Sequence, residues 1–296
     1  MSLRDSFYAI VACLLWSTAF VGVKAGLEYM PPLTLAGIRF LLAGAMLLPF
    51  CGGLGALRRV LQLHRKTLVA ASLLNTVFLY ALFFVAIQFV RGAQAAIMIG
   101  ASPLVSATVA HFVMENDRMT RSKLISIVFG LCGIILLAIA GKPWEPVGAR
   151  ECGGLLLLLC ASITGSFGNV VVAKGRSVTL HPVALASLQM IIGGVVLLVA
   201  GLTLESFPDE TLPVHFYIVL GWLAFISAAA FAIWFHLLQR VPVSELNLWK
   251  FMIPLAGAAL SWMLINGEHP DVLSLLGMSF VAVGIIWSQS GLRGNM

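Results

Sequence analysis

The chain has 296 residues, of which 60% are hydrophobic and 10% charged, whereas an ordinary soluble domain is about 25% charged. At a mean hydropathy of +1.01 the apolar residues exceed what a polar surface can cover, so the surface itself must face hydrocarbon and a soluble fold is excluded. The formal net charge is +6, but the cations lie scattered between apolar segments and make no stripe that tracks phosphates, which excludes a nucleic-acid binder.

Apolar windows of about 20 residues, enough to cross about 30 Å of hydrocarbon, fall in chain order at 6–27, 32–50, 68–89, 93–113, 123–141, 152–173, 182–203, 213–238, 244–265 and 272–290. The predicted fold is all-α, an integral membrane protein of ten transmembrane helices. The first window is too long for a signal-peptide core and is expected to be retained. Turn clusters such as Tyr29-Met30-Pro31-Pro32, Gly52-Gly53 and Ser206-Phe207-Pro208-Asp209 separate the windows, and the longest connection, 51–67, reads as a loop. A membrane barrel is excluded because these runs are apolar on every face rather than alternating. Tyr29, Trp144, Tyr217, Trp222, Trp262 and Trp287 lie near span ends and read as an interfacial belt.

Connections on one side carry Arg4, Arg58, Arg59, Arg65, Lys66, Arg118, Arg121, Lys123, Lys174, Arg176, Arg240 and Arg293, while the other side carries only Lys24, Arg91, Lys142 and Arg150. By the positive-inside rule both termini are expected in the cytoplasm, as an even number of spans also requires.

The chain repeats itself. At a register of 150, Pro32, Leu35, Ala36 and Gly44 fall on Pro182, Leu185, Ala186 and Gly194. At 151, Tyr80-Ala81-Leu82-Phe83-Phe84 meets Phe231-Ala232-Ile233-Trp234-Phe235, Pro103-Leu104 meets Pro254-Leu255, and Gly133-Ile134-Ile135 meets Gly284-Ile285-Ile286. Two units, 1–147 and 148–296, are expected. Five spans per unit force the second into the opposite orientation, the inverted-repeat arrangement of many secondary transporters.

Arg39 in the second span, the Tyr80–Phe84 aromatic run, Pro103 and Pro254 in the fourth and ninth spans, and Glu115 and Glu268 ahead of Gly133 and Gly284 together resemble the EamA-type proteins of the drug/metabolite transporter superfamily. Within that superfamily the chain is most similar to bacterial exporters of aromatic and other amino acids, the YddG type. The resemblance implies a multi-pass protein of the bacterial inner membrane that exports small metabolites, aromatic or other neutral amino acids foremost, by alternating access. A passive channel, an exporter of other amphipathic metabolites or drugs, and an intramembrane enzyme are the alternatives.

Enzymatic signatures are missing from the sequence. There is no GxxxxGK[ST] phosphate loop, no HExxH and no CxxC, and Asp5, Asp117, Asp209 and Asp271 all fall in connections or at span ends. No cofactor or metal is expected; the partners are a small-molecule substrate and membrane lipid, and nothing in the sequence specifies an oligomeric state.

The expected substrate cavity is walled by mid-span aromatics Trp16, Phe20, Tyr80, Phe84, Phe231, Trp234 and Trp249, with Asn247 and Lys250 for the polar end of an amino acid. Asn247, Lys250 and Pro254 share a helix face by spacing. Pro103 and Pro254 are expected to free the carbonyls of Ile99 and Lys250 and to kink their helices. Arg39, whose repeat mate is the neutral Gln189, is expected to have a structural or gating role with a carboxylate partner such as Glu28. Glu245, in the first turn after Ser244, reads as a helix-dipole residue.

Overall fold

The structure, a computed structural model, describes residues 1–90, 98, 100–140, 148–176, 179–206, 212–264 and 272–293. Ile99, Trp144, the junction at 147/148 and Glu268 lie outside the described residues. The helices are α1 (Leu3–Leu27), α2 (Pro32–Leu47), α3 (Leu54–Leu63), α4 (Arg65–Ala71), α5 (Leu79–Ala86), α6 (Ser102–Val113), α7 (Arg121–Ala140), α8 (Ala149–Lys174), α9 (Pro182–Leu204), α10 (Val214–Leu238), α11 (Val243–Leu248), α12 (Met252–Leu264) and α13 (Val272–Arg293). Among the described residues there is no strand.

Among the described residues, each expected window carries helix. Six stretches, Leu3–Leu27, Pro32–Phe50, Arg65–Ala86, Ala149–Lys174, Pro182–Leu204 and Val214–Leu238, are long and apolar enough to cross a membrane unaided. The third span is composite, since α4 and α5 are joined by a π-helical stretch, Ser72–Phe78, a geometry that is rare and concentrated at functional sites. The ninth is broken: α11 and α12 are joined by a 3₁₀ turn, Trp249–Phe251.

Two sequence readings are corrected here. The 51–67 connection is not a plain loop, because α3 places Ala56 and Val60, one turn apart, against the bundle while Arg58 and Arg59 stay exposed. Gly52 and Gly53 make the entry possible, with φ of 72° and 82°, a region that side chains strongly disfavour. Pro103 does not kink a helix interior; it sits in the first turn of α6, where the N–H it lacks would have had no intrahelical partner.

The inverted repeat is visible in how glycines are used. A Cβ built on Gly44 would lie 2.8 Å from the Ser187 carbonyl oxygen and 2.6 Å from Ile191; one on Gly194 would lie 3.0 Å from the Gly37 carbonyl oxygen and 2.8 Å from the Leu41 nitrogen. The two contacts are images of each other at a register of 150. They also run antiparallel, Gly37 facing Leu198 and Gly44 facing Ile191, so α2 and its own repeat mate α9 point in opposite directions.

The same holds at 151 for α7 and α13, where Gly133 abuts Gly277 and Val281 while Gly284 abuts Ser126 and Gly130. Packing elsewhere follows this two-fold relation: α1 packs on α10 and α12, and its mate α8 packs on α5 and α6. Helices in lipid gain nothing from hiding apolar surface from one another, so close backbone approach at small residues is what holds such pairs together.

Carboxylates finish the helix ends. Glu205, at the end of α9, accepts hydrogen bonds from the Leu33 and Thr34 N–H groups at the start of α2, at 2.7 and 2.9 Å. Those N–H groups have no partner within their helix, and a negative charge there also complements its dipole.

The glycine seam yields a direct test. Gly44→Val presses new methyl groups against the Ser187 backbone and is expected to lower stability by about 1–3 kcal/mol, the usual range for overpacking. Gly221→Val is the control, because nothing lies within 4 Å of a Cβ at Gly221. Thermal melts of the detergent-extracted proteins should separate the two variants; identical melting would remove the seam from the account.

Candidate functional site

A cavity of about 180 Å³ opens between the halves. Its wall takes residues from α1 (Trp16, Ala19, Val23), α2 (Arg39), the third span (Asn75, Leu79, Tyr80, Phe83), α6 (Ser102, Ser106), α8 (Leu158 to Asn169), α10 (Phe231, Trp234) and the ninth span (Lys250, Ile253). Much of this wall consists of repeat mates. Trp16 and Ser166, Ala19 and Asn169, Tyr80 and Phe231, Phe83 and Trp234, and Ser102 and Ile253 are related by the 150 or 151 register, so the cavity straddles the pseudo-two-fold axis. Leu158, Ala161 and Ser162 extend it along the N-terminal half of α8, whereas their mates Tyr8, Val11 and Ala12 on α1 do not line it.

The aromatic wall is continuous. Trp16 meets Phe231 edge-on at 5.5 Å between ring centroids and Trp234 at 5.0 Å, Tyr80 lies 6.4 Å from Phe231, and Phe40 backs both at 4.4 and 6.3 Å. Such tilted and edge contacts fix the rings without filling the space before them.

Two cations enter this wall. The Lys250 Nζ stands 5.0 Å from the Trp234 ring centroid and 6.0 Å from that of Trp16. Arg39, only 2% exposed, donates from Nε to the Ser227 hydroxyl at 2.7 Å and lies 5.3 Å from the Phe40 ring and 5.7 Å from the Tyr80 ring. Among the described residues neither cation has a carboxylate within ion-pair distance.

Of the expected site residues, Trp16, Tyr80, Phe231, Trp234 and Lys250 come together on the wall, joined by Arg39. The α1 backbone includes Phe20, whose side chain lies outside the described residues. Phe84 stands behind the wall, fully buried against Tyr80 and Phe83. Trp249 is also set back, its indole N–H donating to the Met1 sulfur at 3.2 Å. Asn247 is spent on structure: its amide donates to the Val243 carbonyl at 2.8 Å and accepts from Asn169 at 3.3 Å.

The expected face of Asn247, Lys250 and Pro254 is not a cavity face: Lys250, in the 3₁₀ turn, lines the cavity, while Asn247, in α11 ahead of that turn, is fully buried away from it. Pro254 lies in the first turn of α12, directly after that break. Arg39 binds Ser227 rather than the expected Glu28. Glu245 contacts the Met1 ammonium at 2.9 Å.

Residues that the sequence did not single out complete the site. The Arg39–Ser227 hydrogen bond has an image at the repeat register, where the Thr76 hydroxyl donates to Gln189 Oε1 at 2.8 Å: Arg39 maps onto Gln189 and Thr76 onto Ser227. The π-helical stretch carries Thr76 together with Asn75, which lines the cavity. Ser106 and Ser166 share a hydrogen bond at 2.8 Å across α6 and α8. Paired small hydroxyls have no sequence signature strong enough to separate them from ordinary helix contacts.

The start of the broken ninth span is held from outside the membrane-spanning helices. Asp117, 2% exposed, accepts from the Ser244 N–H at 2.9 Å and from the Ser244 hydroxyl at the start of α11, and pairs with Lys123 at 2.6 Å.

The sequence profile of the EamA-like transporter family matches residues 4–139 and again 153–289. The chain belongs to the EamA-like transporter family. It is 26% identical to a Bacillus subtilis protein named uncharacterized transporter YvbV, over 95% of this chain and 90% of the relative. It is 25% identical to a Salmonella typhimurium protein named a probable amino-acid metabolite efflux pump, over 99% of this chain and 97% of the relative. An Escherichia coli protein named uncharacterized inner membrane transporter YedA is 26% identical over 92% of this chain and 86% of the relative. A crystal structure superposes over 99% of both chains with a TM-score of 0.83 at 16% identity, a likeness of fold. This EamA-family chain is therefore a multi-pass membrane protein of a transporter family, as its composition required.

Asp117 offers a test of the broken ninth span. Asp117→Ala leaves the Ser244 N–H and the Lys123 ammonium without their partner, and a lost cap of this kind costs about 0.5–2 kcal/mol, with more for the stranded buried donor. A lowered melting temperature is expected, restored in part by Asp117→Asn, which keeps one acceptor oxygen for the Ser244 N–H. Equal melting of the alanine variant and the parent protein would show that the start of α11 does not depend on this carboxylate.

Proposed function

We propose that the chain is a secondary transporter that exports small amphipathic metabolites, neutral and preferentially aromatic amino acids foremost, by alternating access of its two halves. The observation that carries this reading is the cavity on the pseudo-two-fold axis, walled by repeat mates from both halves. A site on such an axis can be exposed to one side or the other by rocking the halves, here 1–147 and 148–296, about the cavity. Two relatives, from Salmonella typhimurium and Escherichia coli, are named probable amino-acid metabolite efflux pumps, which supports an outward cargo of this class. The rings of Trp16, Tyr80, Phe231 and Trp234 would bury an apolar side chain, and Lys250 would receive a carboxylate. No step of this cycle asks for conversion of the cargo.

The proposed frame places both termini in the cytoplasm of a bacterial inner membrane. The N-terminal half of α8 then faces outside, and the one-sided extension of the cavity as far as Leu158 corresponds to an outward-facing state. A single cysteine replacing Leu61, an exposed residue of α3, in an otherwise cysteine-free protein should react with an impermeant maleimide only after cells are permeabilised. Labelling in intact cells would reverse the orientation and with it the direction of transport.

Lys250 separates a binding role from a packing role. In proteoliposomes, Lys250→Ala is expected to slow amino-acid flux at least tenfold while changing flux of uncharged amphiphiles little, since only the former lose a partner for their carboxylate. Equal loss for both classes, with the protein still monodisperse, would make Lys250 a packing residue; unchanged flux for both would remove it from the site.

A further inference from the structure

The polar groups of the cavity are unbalanced in one direction. Among the described residues its wall includes Arg39 and Lys250 and no carboxylate. Three more lining residues carry buried N–H donors that find no acceptor among the described residues: the indole nitrogens of Trp16 and Trp234 and the side-chain amide nitrogen of Asn75. Buried donors are almost always paired, and one left unmade costs about 1–3 kcal/mol, so several around one cavity call for an acceptor that the protein does not supply.

The acids that might have supplied it are engaged elsewhere. Glu205 binds the start of α2, Asp117 the start of α11, Glu245 the Met1 ammonium, and Asp5 the Ser2 hydroxyl. The fixed acceptors on the wall are amide and hydroxyl oxygens, and some of these are already used: Ser106 and Ser166 bond each other, and Ser166 also bonds the Ser162 carbonyl. An incoming ammonium would thus meet two cations and no counter-charge, while an incoming carboxylate would meet two cations and a set of free donors.

We propose that the cavity selects monoanionic aromatic amphiphiles, a carboxylate with no free ammonium, over the zwitterionic amino acids themselves. N-acylated aromatic amino acids and aryl-alkanoic acids are the substrate class that fits. The aryl group lies among Trp16, Tyr80, Phe231 and Trp234, and the carboxylate lies between Lys250 and Arg39. This inference rests on the transport reading and narrows its cargo; it requires that blocking the amine strengthen binding, which a pocket built for zwitterions would not do.

The test uses the purified full-length chain in proteoliposomes, with counterflow of radiolabelled N-acetyl-L-phenylalanine and of radiolabelled L-phenylalanine, and L-phenylalanine amide as a cationic competitor. Half-saturation by the N-acetyl compound is expected at a concentration at least tenfold below that for phenylalanine, with the amide the weakest competitor. Lys250→Gln should erase the difference between the two labelled compounds, and Lys250→Arg should keep it. Saturable flux of phenylalanine at equal or lower concentration would overturn the anionic preference and leave the exporter reading intact. No saturable flux of either compound above protein-free vesicles, from monodisperse protein, would overturn both.

Discussion

Everything in this molecule depends on two places where backbones touch. Between helices surrounded by lipid there is no hydrophobic driving force, and affinity comes from close van der Waals approach, which only small residues allow. Gly44 and Gly194 let α2 meet α9, and Gly133 and Gly284 let α7 meet α13. Because each contact joins a helix to its own repeat mate in antiparallel fashion, the two seams define one pseudo-two-fold axis. The remaining pairings, α1 on α10 and α8 on α5, are then images of one another, and a cavity on the axis inherits lining residues in mated pairs.

On this symmetric frame the chemistry is asymmetric. Tyr80 and Phe231 or Phe83 and Trp234 contribute rings of similar shape from the two halves, but Arg39 answers to Gln189. The bond from Arg39 to Ser227 and the bond from Thr76 to Gln189 occupy equivalent positions and join equivalent helices. One carries a full charge, and that one lines the cavity. Duplication fixes where a polar cross-link between spans can sit; divergence of a single position decides that the cross-link on one side also presents a cation to the cargo.

The fold was largely legible because its cause is compositional. Twenty-residue apolar windows, a 150-residue self-match and glycines recurring at Gly44/Gly194 and Gly133/Gly284 are all one-dimensional signals of a three-dimensional constraint. The site was legible in part. Lys250 and the rings of Trp16, Tyr80, Phe231 and Trp234 stand out as costly or bulky groups at mid-span, and they do meet. Asn247 and Trp249 were misplaced because packing partners the sequence does not reveal claim them, Asn169 and the Val243 carbonyl for Asn247 and the Met1 sulfur for Trp249, and Pro254 marks only the far side of the 3₁₀ break. Phe84 differs from Tyr80 by one helical turn, too little for periodicity alone to separate wall from backing. The orphan donors of Trp16, Trp234 and Asn75 were invisible in the sequence, since whether a buried N–H finds an acceptor is a property of packing rather than of residue type.

How a cation is held in such a place decides whether it can work. A lysine or arginine in a membrane interior is costly unless something compensates its charge, and the usual compensation is a carboxylate. A carboxylate partner, however, would have to be given up when an anionic cargo arrived, leaving a buried charge uncompensated, a loss of about 3–5 kcal/mol in buried pairs. Here the compensation comes from ring faces, Trp16 and Trp234 under Lys250, Phe40 and Tyr80 beside Arg39, each contributing about 0.5–2 kcal/mol, and from the neutral Ser227 hydroxyl. A ring face remains beside its cation when a carboxylate approaches from the open side, so cargo adds to the stabilisation instead of replacing it. The aromatic wall therefore serves both ends of an amphipathic ligand: it receives the apolar part directly, and it keeps two cations in hydrocarbon without committing them to an acid of the protein's own.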